Sequence, residues 1–212
     1  MTGEAQVPAP PHAAAARPQP FESLLREVRA CRLCAAQLPL GPRPVLQLDP
    51  RARILIASQA PGRQAHAQGI PFADASGDRL RAWMGLTATQ FYDPGLLAIV
   101  PMGLCFPGTG ASGDLPPRPE CAPRWRAELM AALPALQLTL VIGRYAQAWH
   151  LPGTARAVTA RVAAWRDHGP GVMPLPHPSG RNNRWLQRNP WFAQELLPAL
   201  QARIAAILAD AA

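Results

Sequence analysis

Lysine is absent from this 212-residue sequence, and all 21 basic side chains are arginine. Acidic side chains are also few, at 13, so the formal net charge is +8. The isoelectric point lies near 10.8. Arginine forms two-pronged hydrogen bonds with phosphate, and a small, strongly basic domain favours a polyanionic partner. A proteome that avoids lysine would produce a similar composition, so the charge alone leaves the partner open.

Long apolar runs are missing as well, and no stretch is long enough to span a membrane. The first residues also lack the basic and apolar regions of a secretory signal peptide. We therefore expect a cytoplasmic protein with no membrane partner. Residues 1–20 are rich in Ala, Pro and Gln and predict a disordered tail. Residues 21–212 can bury one substantial core, so we expect a single domain and a monomer.

Cysteine is scarce but its spacing is informative. A Cys-x-x-Cys pair in a cytosolic chain favours metal or redox chemistry over structural disulfides. Ligation by thiolates alone suits a four-iron cluster or, as the alternative, zinc. The other interpretation is that Cys34 and Cys105 are small buried apolar side chains and that no metal binds. The candidate metal ligands are Cys31, Cys34, Cys105 and Cys121.

Short apolar runs alternate with helical patterns along the chain. This alternation predicts an α/β fold with three layers, α/β/α, around a central, mainly parallel, four-stranded sheet. Ligands bind such sheets beyond the carboxyl ends of the strands, so residues 59–72 and 177–181 are expected to face each other. Residues 108–117 are predicted to form a long flexible loop. Strands are predicted at 53–57, 96–100, 138–142 and 172–175, and helices at 21–28, 78–84, 122–133, 145–150, 154–165 and 191–208.

Several short motifs lie at those strand ends in a fixed order. They read Ser-Gln-Ala-Pro-Gly at 58–62, Gly-Ile-Pro-Phe at 69–72, Gly-Asp-Arg-Leu at 77–80, Cys-Phe-Pro-Gly at 105–108, Arg-Pro-Glu-Cys at 118–121 and His-Pro-Ser at 177–179. With the cysteine spacing, this order resembles the uracil-DNA glycosylase superfamily, most closely its iron-sulphur family four. The continuation at 180–182 is closer to the single-strand-selective monofunctional uracil glycosylases. The resemblance implies a 4Fe-4S cluster on the four cysteines and a uracil-DNA-glycosylase-like fold.

The resemblance also implies the residues of a base pocket. A glycosylase must extrude a nucleotide, hold its base and stabilise the departing anion. Phe72 stands where the resembled families stack the base, although a core phenylalanine is the other interpretation. His177 can donate a hydrogen bond to a carbonyl oxygen that gains negative charge. The remaining base-binding candidates are Ala60, Pro61 and Gly62, whose backbone can approach a ligand closely.

Two positions depart from the family-four pattern. Gln59 stands where that family carries a Glu, and a glutamine can position water but cannot act as a general base. Pro101 and Met102 stand where a uracil-reading Asn is expected. Asp74 is therefore the candidate catalytic carboxylate beside His177 and Gln59. Asp78, which can also cap a helix, and His66 are further candidates for positioning water.

Arginine and polar side chains after His177 are the best candidates for contacting DNA, because they combine phosphate ligands with an aromatic residue. That aromatic, Trp185, can stack on bases or, with Trp191, belong to the core. The DNA-binding candidates are Arg63, Ser179, Arg181, Asn182, Arg184 and Arg188.

We therefore predict a DNA repair glycosylase that flips a deaminated base, uracil first, and hydrolyses its glycosidic bond. The alternative is a non-catalytic protein that binds DNA lesions on the same fold. A third hypothesis is a metal-bearing protein that acts on free nucleotides, whose DNA affinity would show little dependence on salt.

Overall fold

The computed structural model of the protein describes residues 20–111, 113–153 and 157–210. The tail predicted at residues 1–20 lies outside the described residues, apart from Pro20. None of the helices within these three ranges is both long enough and apolar enough to cross a membrane.

A parallel sheet forms the centre of the described chain, with the strand order β2-β1-β5-β6. A separate antiparallel hairpin pairs β3 with β4. The predicted α/β class and the positions of the four central strands are confirmed. The strands are β1 (Ile54–Ala57), β2 (Leu97–Ile99), β3 (Thr109–Gly110), β4 (Gly113–Asp114), β5 (Leu138–Ile142) and β6 (Val172–Leu175).

Helices cover both faces of this sheet. Most follow the predicted patterns, while α2, α4 and α8 were not predicted. The 154–165 prediction is only partly testable, because residues 154–156 lie outside the described chain. The helices are α1 (Phe21–Arg29), α2 (Arg63–Gln68), α3 (Ala75–Met84), α4 (Ala88–Phe91), α5 (Cys121–Ala131), α6 (Gly143–His150), α7 (Val158–Ala163), α8 (Asn183–Arg188) and α9 (Leu197–Ala209), which follows a π-helical turn at Phe192–Leu196.

The three layers follow from the alternation of side chains along each strand. On β1, Ile54 and Ile56 pack into one apolar cluster with side chains of α3, α7 and α9. Leu55 points to the other face and packs with α1 and α5. All four residues of β1 are buried, as expected for a parallel sheet that is covered on both sides. The predicted α/β/α layering is confirmed.

The backbone hydrogen bonds between β1 and β2 continue into the loops that follow these two strands. The Met102 amide donates to the Ser58 carbonyl at 2.8 Å, and the Gly103 amide donates to the Gln59 carbonyl at 2.9 Å. The loops after these two strands are therefore held side by side. The strand order also reverses between β1 and β5, which places a crevice at their carboxyl ends.

One loop prediction was wrong. Residues 108–117 were expected to lack regular structure, but they contain the β3–β4 hairpin. The Leu115 amide also donates to the Gly108 carbonyl at 2.8 Å, which closes the hairpin at its base. Gly108 adopts a φ of +106°, a conformation that glycine tolerates best.

Candidate active site

A cavity of about 350 Å³ lies at the carboxyl ends of the strands, which is large enough to hold a nucleobase. Both loops that the sequence predicted to face each other line it, and the β3–β4 hairpin closes another side. Its lining includes Ser58, Gln59, Ala60, Pro61, Gly62, Phe72, Asp74, Pro101, Asp114, His177, Ser179, Arg181 and Asn182.

Phe72 forms an apolar wall of the cavity and also belongs to the core. Its side chain is 9% exposed and packs edge-to-face on Phe91, with 6.3 Å between ring centroids. The Tyr92 hydroxyl donates to the Phe72 carbonyl at 3.1 Å. Among the described residues, Phe72 is the only non-glycine residue with a positive φ, at 54°. Phe72 is therefore both a wall of the cavity and a member of the core.

His177 lies in the loop after β6, and both its ring and its backbone carbonyl accept hydrogen bonds. The Ser179 amide donates to its Nδ1 atom at 3.2 Å, and the Asn182 side chain donates to its carbonyl at 2.7 Å. Burial lowers the pKa of His177. The charges of Asp74 and Asp114 act in the opposite direction, and the charge of Arg181 lowers the pKa further. The ring is therefore neutral near pH 7, and because Nδ1 accepts a hydrogen bond, the proton lies on Nε2. A neutral imidazole of this tautomer is a hydrogen-bond donor.

Gln59 lines the cavity but uses its amide to hold the hairpin. Its Nε2 atom donates to the Leu115 carbonyl at 2.9 Å. A glutamate in this position could not donate that bond. Pro101, which also lines the cavity, offers no side-chain donor or acceptor where the resembled family carries an asparagine.

Two carboxylates reach the cavity from different elements. Asp74 is the N-cap of α3, and its Oδ1 atom accepts from the Gly77 amide at 3.0 Å. Asp114 lies on β4, and sequence reasoning did not select it. A Cβ atom on Gly62 would lie 3.5 Å from the Oδ2 atom of each carboxylate. The helix-capping role considered for Asp78 belongs instead to Asp74, and Asp78 pairs with Arg81.

Arg181 connects the His177 loop to the hairpin. Its guanidinium packs so closely on Gly113 that a side chain there would overlap it, and Gly113 has a φ of +123°. Arg79, which sequence reasoning also missed, donates to the Ser179 carbonyl at 3.2 Å and to the Asn183 side chain at 2.8 Å. The loop that carries His177 therefore contacts both α3, through Arg79, and the hairpin, through Arg181.

The remaining DNA-binding candidates lie outside the cavity. Arg63 begins α2 and places its guanidinium 5.4 Å from the Phe106 ring centroid. Arg184 and Arg188 are exposed on α8. Trp185 packs against Trp191 and Phe192 and donates to the Thr159 hydroxyl at 2.7 Å. The core interpretation of Trp185 is therefore the better one, and His66 lies against Phe106 and not in the cavity.

The four cysteines come together away from this cavity, between the end of α1 and the start of α5. All four line one small cavity, although they come from three separate stretches of chain. The Trp125 indole donates to the Cys31 sulphur and the Leu104 amide to the Cys121 sulphur, both at 3.3 Å. As placed in the described chain, no group of three or more His, Cys, Asp or Glu side chains has the arrangement of a metal site.

Burial makes three of these thiols, those of Cys34, Cys105 and Cys121, weaker acids. It raises the pKa of Cys105 to about 11 and that of Cys121 to about 12, and it also raises the pKa of Cys34. None of the four is fully buried. The metal-binding interpretation and the interpretation of Cys34 and Cys105 as small apolar side chains both stay predictions.

The family model of the Uracil DNA glycosylase superfamily matches residues 46–201, which contain all the lining residues of the cavity except Val45. The chain belongs to this superfamily. Membership supports a DNA glycosylase function and DNA as the partner. The superfamily region also contains Cys105 and Cys121 but begins after Cys31 and Cys34.

Among solved structures, the chain is similar to a candidate uracil DNA glycosylase from Methanosarcina acetivorans that was determined by solution NMR. The identity is 18% and the TM-score is 0.44. The match covers 74% of this chain and 94% of the archaeal one.

Proposed function

We propose that this superfamily member is a DNA repair glycosylase that flips a deaminated base, uracil first, out of DNA and hydrolyses its glycosidic bond. The observation that carries the proposal is the pairing of Phe72 and His177 in one base-sized cavity. Phe72 offers an apolar ring for stacking, and His177 offers a neutral imidazole. A flipped base needs both contacts.

His177 would act on the leaving base. As the glycosidic bond breaks, negative charge builds on the base, and an Nε2–H donor that is already oriented stabilises that charge. The Ser179 amide holds the ring and the Asn182 side chain holds the backbone carbonyl of His177, so little reorganisation is needed during the reaction. The backbone of residues 60–62 would line the base, with Gly62 leaving room for its approach.

The four cysteines would hold a 4Fe-4S cluster, with zinc as the alternative. The type of donor supports the proposal, although the thiols as placed do not have the arrangement of a metal site: four thiols line one cavity, and N–H groups of Leu104 and Trp125 are placed to donate to thiolates. A bound cation would favour the thiolate forms that burial disfavours. The cluster would support structure by connecting α1, the loop after β2 and α5.

Absorbance distinguishes these alternatives. The purified protein should absorb visible light if iron and sulphide are bound, and this absorbance should disappear when Cys31 and Cys34 are both replaced by Ser. A colourless protein that contains stoichiometric zinc would replace the cluster proposal with the zinc alternative.

Base release tests the function directly. The protein is incubated with labelled single- and double-stranded oligonucleotides that contain uracil, hypoxanthine or xanthine, and abasic sites are cleaved with alkali. His177→Ala should slow release by about 10²- to 10³-fold and leave DNA affinity nearly unchanged. His168→Ala is the matched control, since His168 lies outside the cavity and contacts the Arg161 carbonyl. An equal loss of release and binding in His177→Ala would contradict the assignment.

The second candidate is a protein that binds lesions without cleaving them. Two observations favour it, namely that Gln59 holds Leu115 and that Pro101 replaces a polar side chain. It predicts no product on any substrate, together with DNA binding that weakens as salt rises.

A further inference from the structure

Asp74 and Asp114 approach the same point of the cavity from two different elements. Asp74 begins α3 and Asp114 ends the β3–β4 hairpin, yet their Oδ2 atoms each lie 3.5 Å from the position of a Cβ on Gly62. Because Gly62 has no side chain, the space between the two carboxylates is open to the cavity. Both carboxylates also raise the pKa of His177, which places them within electrostatic reach of its ring.

These carboxylates are the acceptors best placed for a nucleophilic water. The side-chain oxygen of Gln59 can accept a hydrogen bond but cannot take up a proton as a general base, and the Nδ1 atom of His177 already accepts from Ser179. A water molecule has two hydrogens to donate, so two acceptors on either side fix its orientation and aim a lone pair away from them.

The two carboxylates are not equivalent. The Oδ1 atom of Asp74 holds the Gly77 amide at 3.0 Å as the helix cap. The Asp114 carboxylate has a weaker contact, with the Thr109 hydroxyl at 3.5 Å. Protonation of Asp74 would weaken the cap of α3, whereas Asp114 caps no helix. Asp114 is therefore the better group to accept a proton.

We propose that Asp114 is the general base of the glycosylase, with Asp74 as the second carboxylate that orients the attacking water. This inference rests on the proposed function and deepens it. The bond between the base nitrogen and C1′ of the sugar breaks, and the base leaves with the electron pair. The water oxygen then bonds to C1′ while one of its protons passes to Asp114. That proton later returns to solvent, and the departed base takes up a proton to become neutral.

The arrangement separates the two halves of the reaction within one cavity. His177 faces the leaving base and the Asp74–Asp114 pair holds the water. Arg181, the other charged group that lines this part of the cavity, lowers the pKa of His177 while the carboxylates raise it. The pair would supply the carboxylate chemistry that Gln59 cannot provide.

Three variants test the inference, with single-turnover base release and DNA affinity measured in parallel. Asp114→Asn should slow release by about 10²- to 10³-fold and keep DNA affinity. Formate added to Asp114→Ala should restore part of the rate. Asp167→Asn, an exposed carboxylate outside the cavity, is the matched control.

A second substitution keeps both carboxylates and fills the space between them. Gly62→Ala places its Cβ in ordinary contact with each Oδ2 atom, at 3.5 Å, so the variant should fold. It should also slow release, because the water can no longer lie between the carboxylates. Asp74→Asn should retain the cap of α3, since asparagine is an equally good N-cap.

The possible outcomes distinguish a failure of the Asp114 proposal from a failure of the proposed glycosylase function. Base release by the wild-type protein, together with an unchanged rate in Asp114→Asn, would overturn the role of Asp114 and leave the glycosylase function intact. A parallel loss of release and DNA affinity in Asp114→Asn would overturn it as well, since it would indicate a binding role. No release by the wild-type protein on any base would overturn the proposed function and this inference together.

Discussion

The backbone of Phe72 lies so close to Gly77 that position 77 cannot hold a side chain without a shift of the chain. A Cβ on Gly77 would lie 1.8 Å from the Phe72 carbonyl oxygen, which is far inside van der Waals contact. Phe72 also has a φ of 54°, which costs a non-glycine residue about 1 to 3 kcal/mol. Strain held at a pocket wall is expected where a ring must keep one orientation for its ligand.

Gly77→Ala should therefore destabilise the protein and displace Phe72. The overlap involves backbone and cannot be relieved by a change of rotamer, so we expect a loss of about 3 kcal/mol or more in the free energy of unfolding. Urea denaturation measures this loss. Gly171→Ala is the control, because a Cβ there meets nothing within 4 Å, and it should change stability by less than about 0.5 kcal/mol. Equal stability of the two variants would contradict the packing argument.

Individual site residues were predictable where a local motif carries them. His177 follows a strand in a His-Pro-Ser motif, and Phe72 follows a Gly-x-Pro turn, and both line the cavity. Asp114 belongs to no motif and enters the cavity only because the β3–β4 hairpin folds over it. The sequence around Trp185 does not distinguish a base-stacking residue from a core residue. Its packing against Trp191 and Phe192 in the structure favours the core role.

At the scale of elements, the β3–β4 hairpin depends on a contact from the opposite side of the cavity. Gln59→Glu should break the bond from its side-chain amide to the Leu115 carbonyl and cost about 1 kcal/mol. The Leu115 amide, which bonds to Gly108, should then exchange faster with solvent in hydrogen-exchange measurements. Gln64→Glu, an exposed change on α2, is the matched control. Unchanged protection of Leu115 would show that the hairpin stands without Gln59.

Helix α8 presents two exposed arginines beside the loop that carries His177. If they contact phosphates, Arg184→Gln and Arg188→Gln should each weaken DNA binding on all sequences. Each should also lower the slope of log affinity against log salt by about 1. Arg26→Gln is the control, because Arg26 is exposed on α1, whose apolar side packs on the opposite face of the sheet. Equal slopes in the three variants would remove α8 from the DNA interface.

For the molecule as a whole, buried histidines make stability depend on pH. Burial, with a contribution from Arg126, lowers the pKa of His150 to about 4, against about 6.5 in the unfolded chain. The unfolded state therefore binds the proton more readily, and stability falls as pH drops from about 6.5 towards 4. Burial also lowers the pKa values of His66 and His177, which act with the same sign.

The contribution of His150 should be at most about 3 kcal/mol over that interval. Urea unfolding at pH 7, 5.5 and 4.5 measures it. His150→Gln should flatten this part of the profile, because glutamine does not titrate and can still accept from Arg126, whose Nη2 atom lies 2.7 Å from the His150 ring. A wild-type stability that stays constant between pH 7 and 4.5 would contradict the prediction.

The strands, the layers and the superfamily could be predicted from the sequence alone. These depend on short-range patterns, such as apolar runs buried on both faces of a sheet and motifs in a set order. Which side chains meet across the cavity, in contrast, is visible only in the tertiary structure. Gln59 and Leu115 are 56 positions apart, and Asp74 and Asp114 meet only around Gly62. Such contacts depend on how the loops fold over the sheet, and no local pattern encodes that.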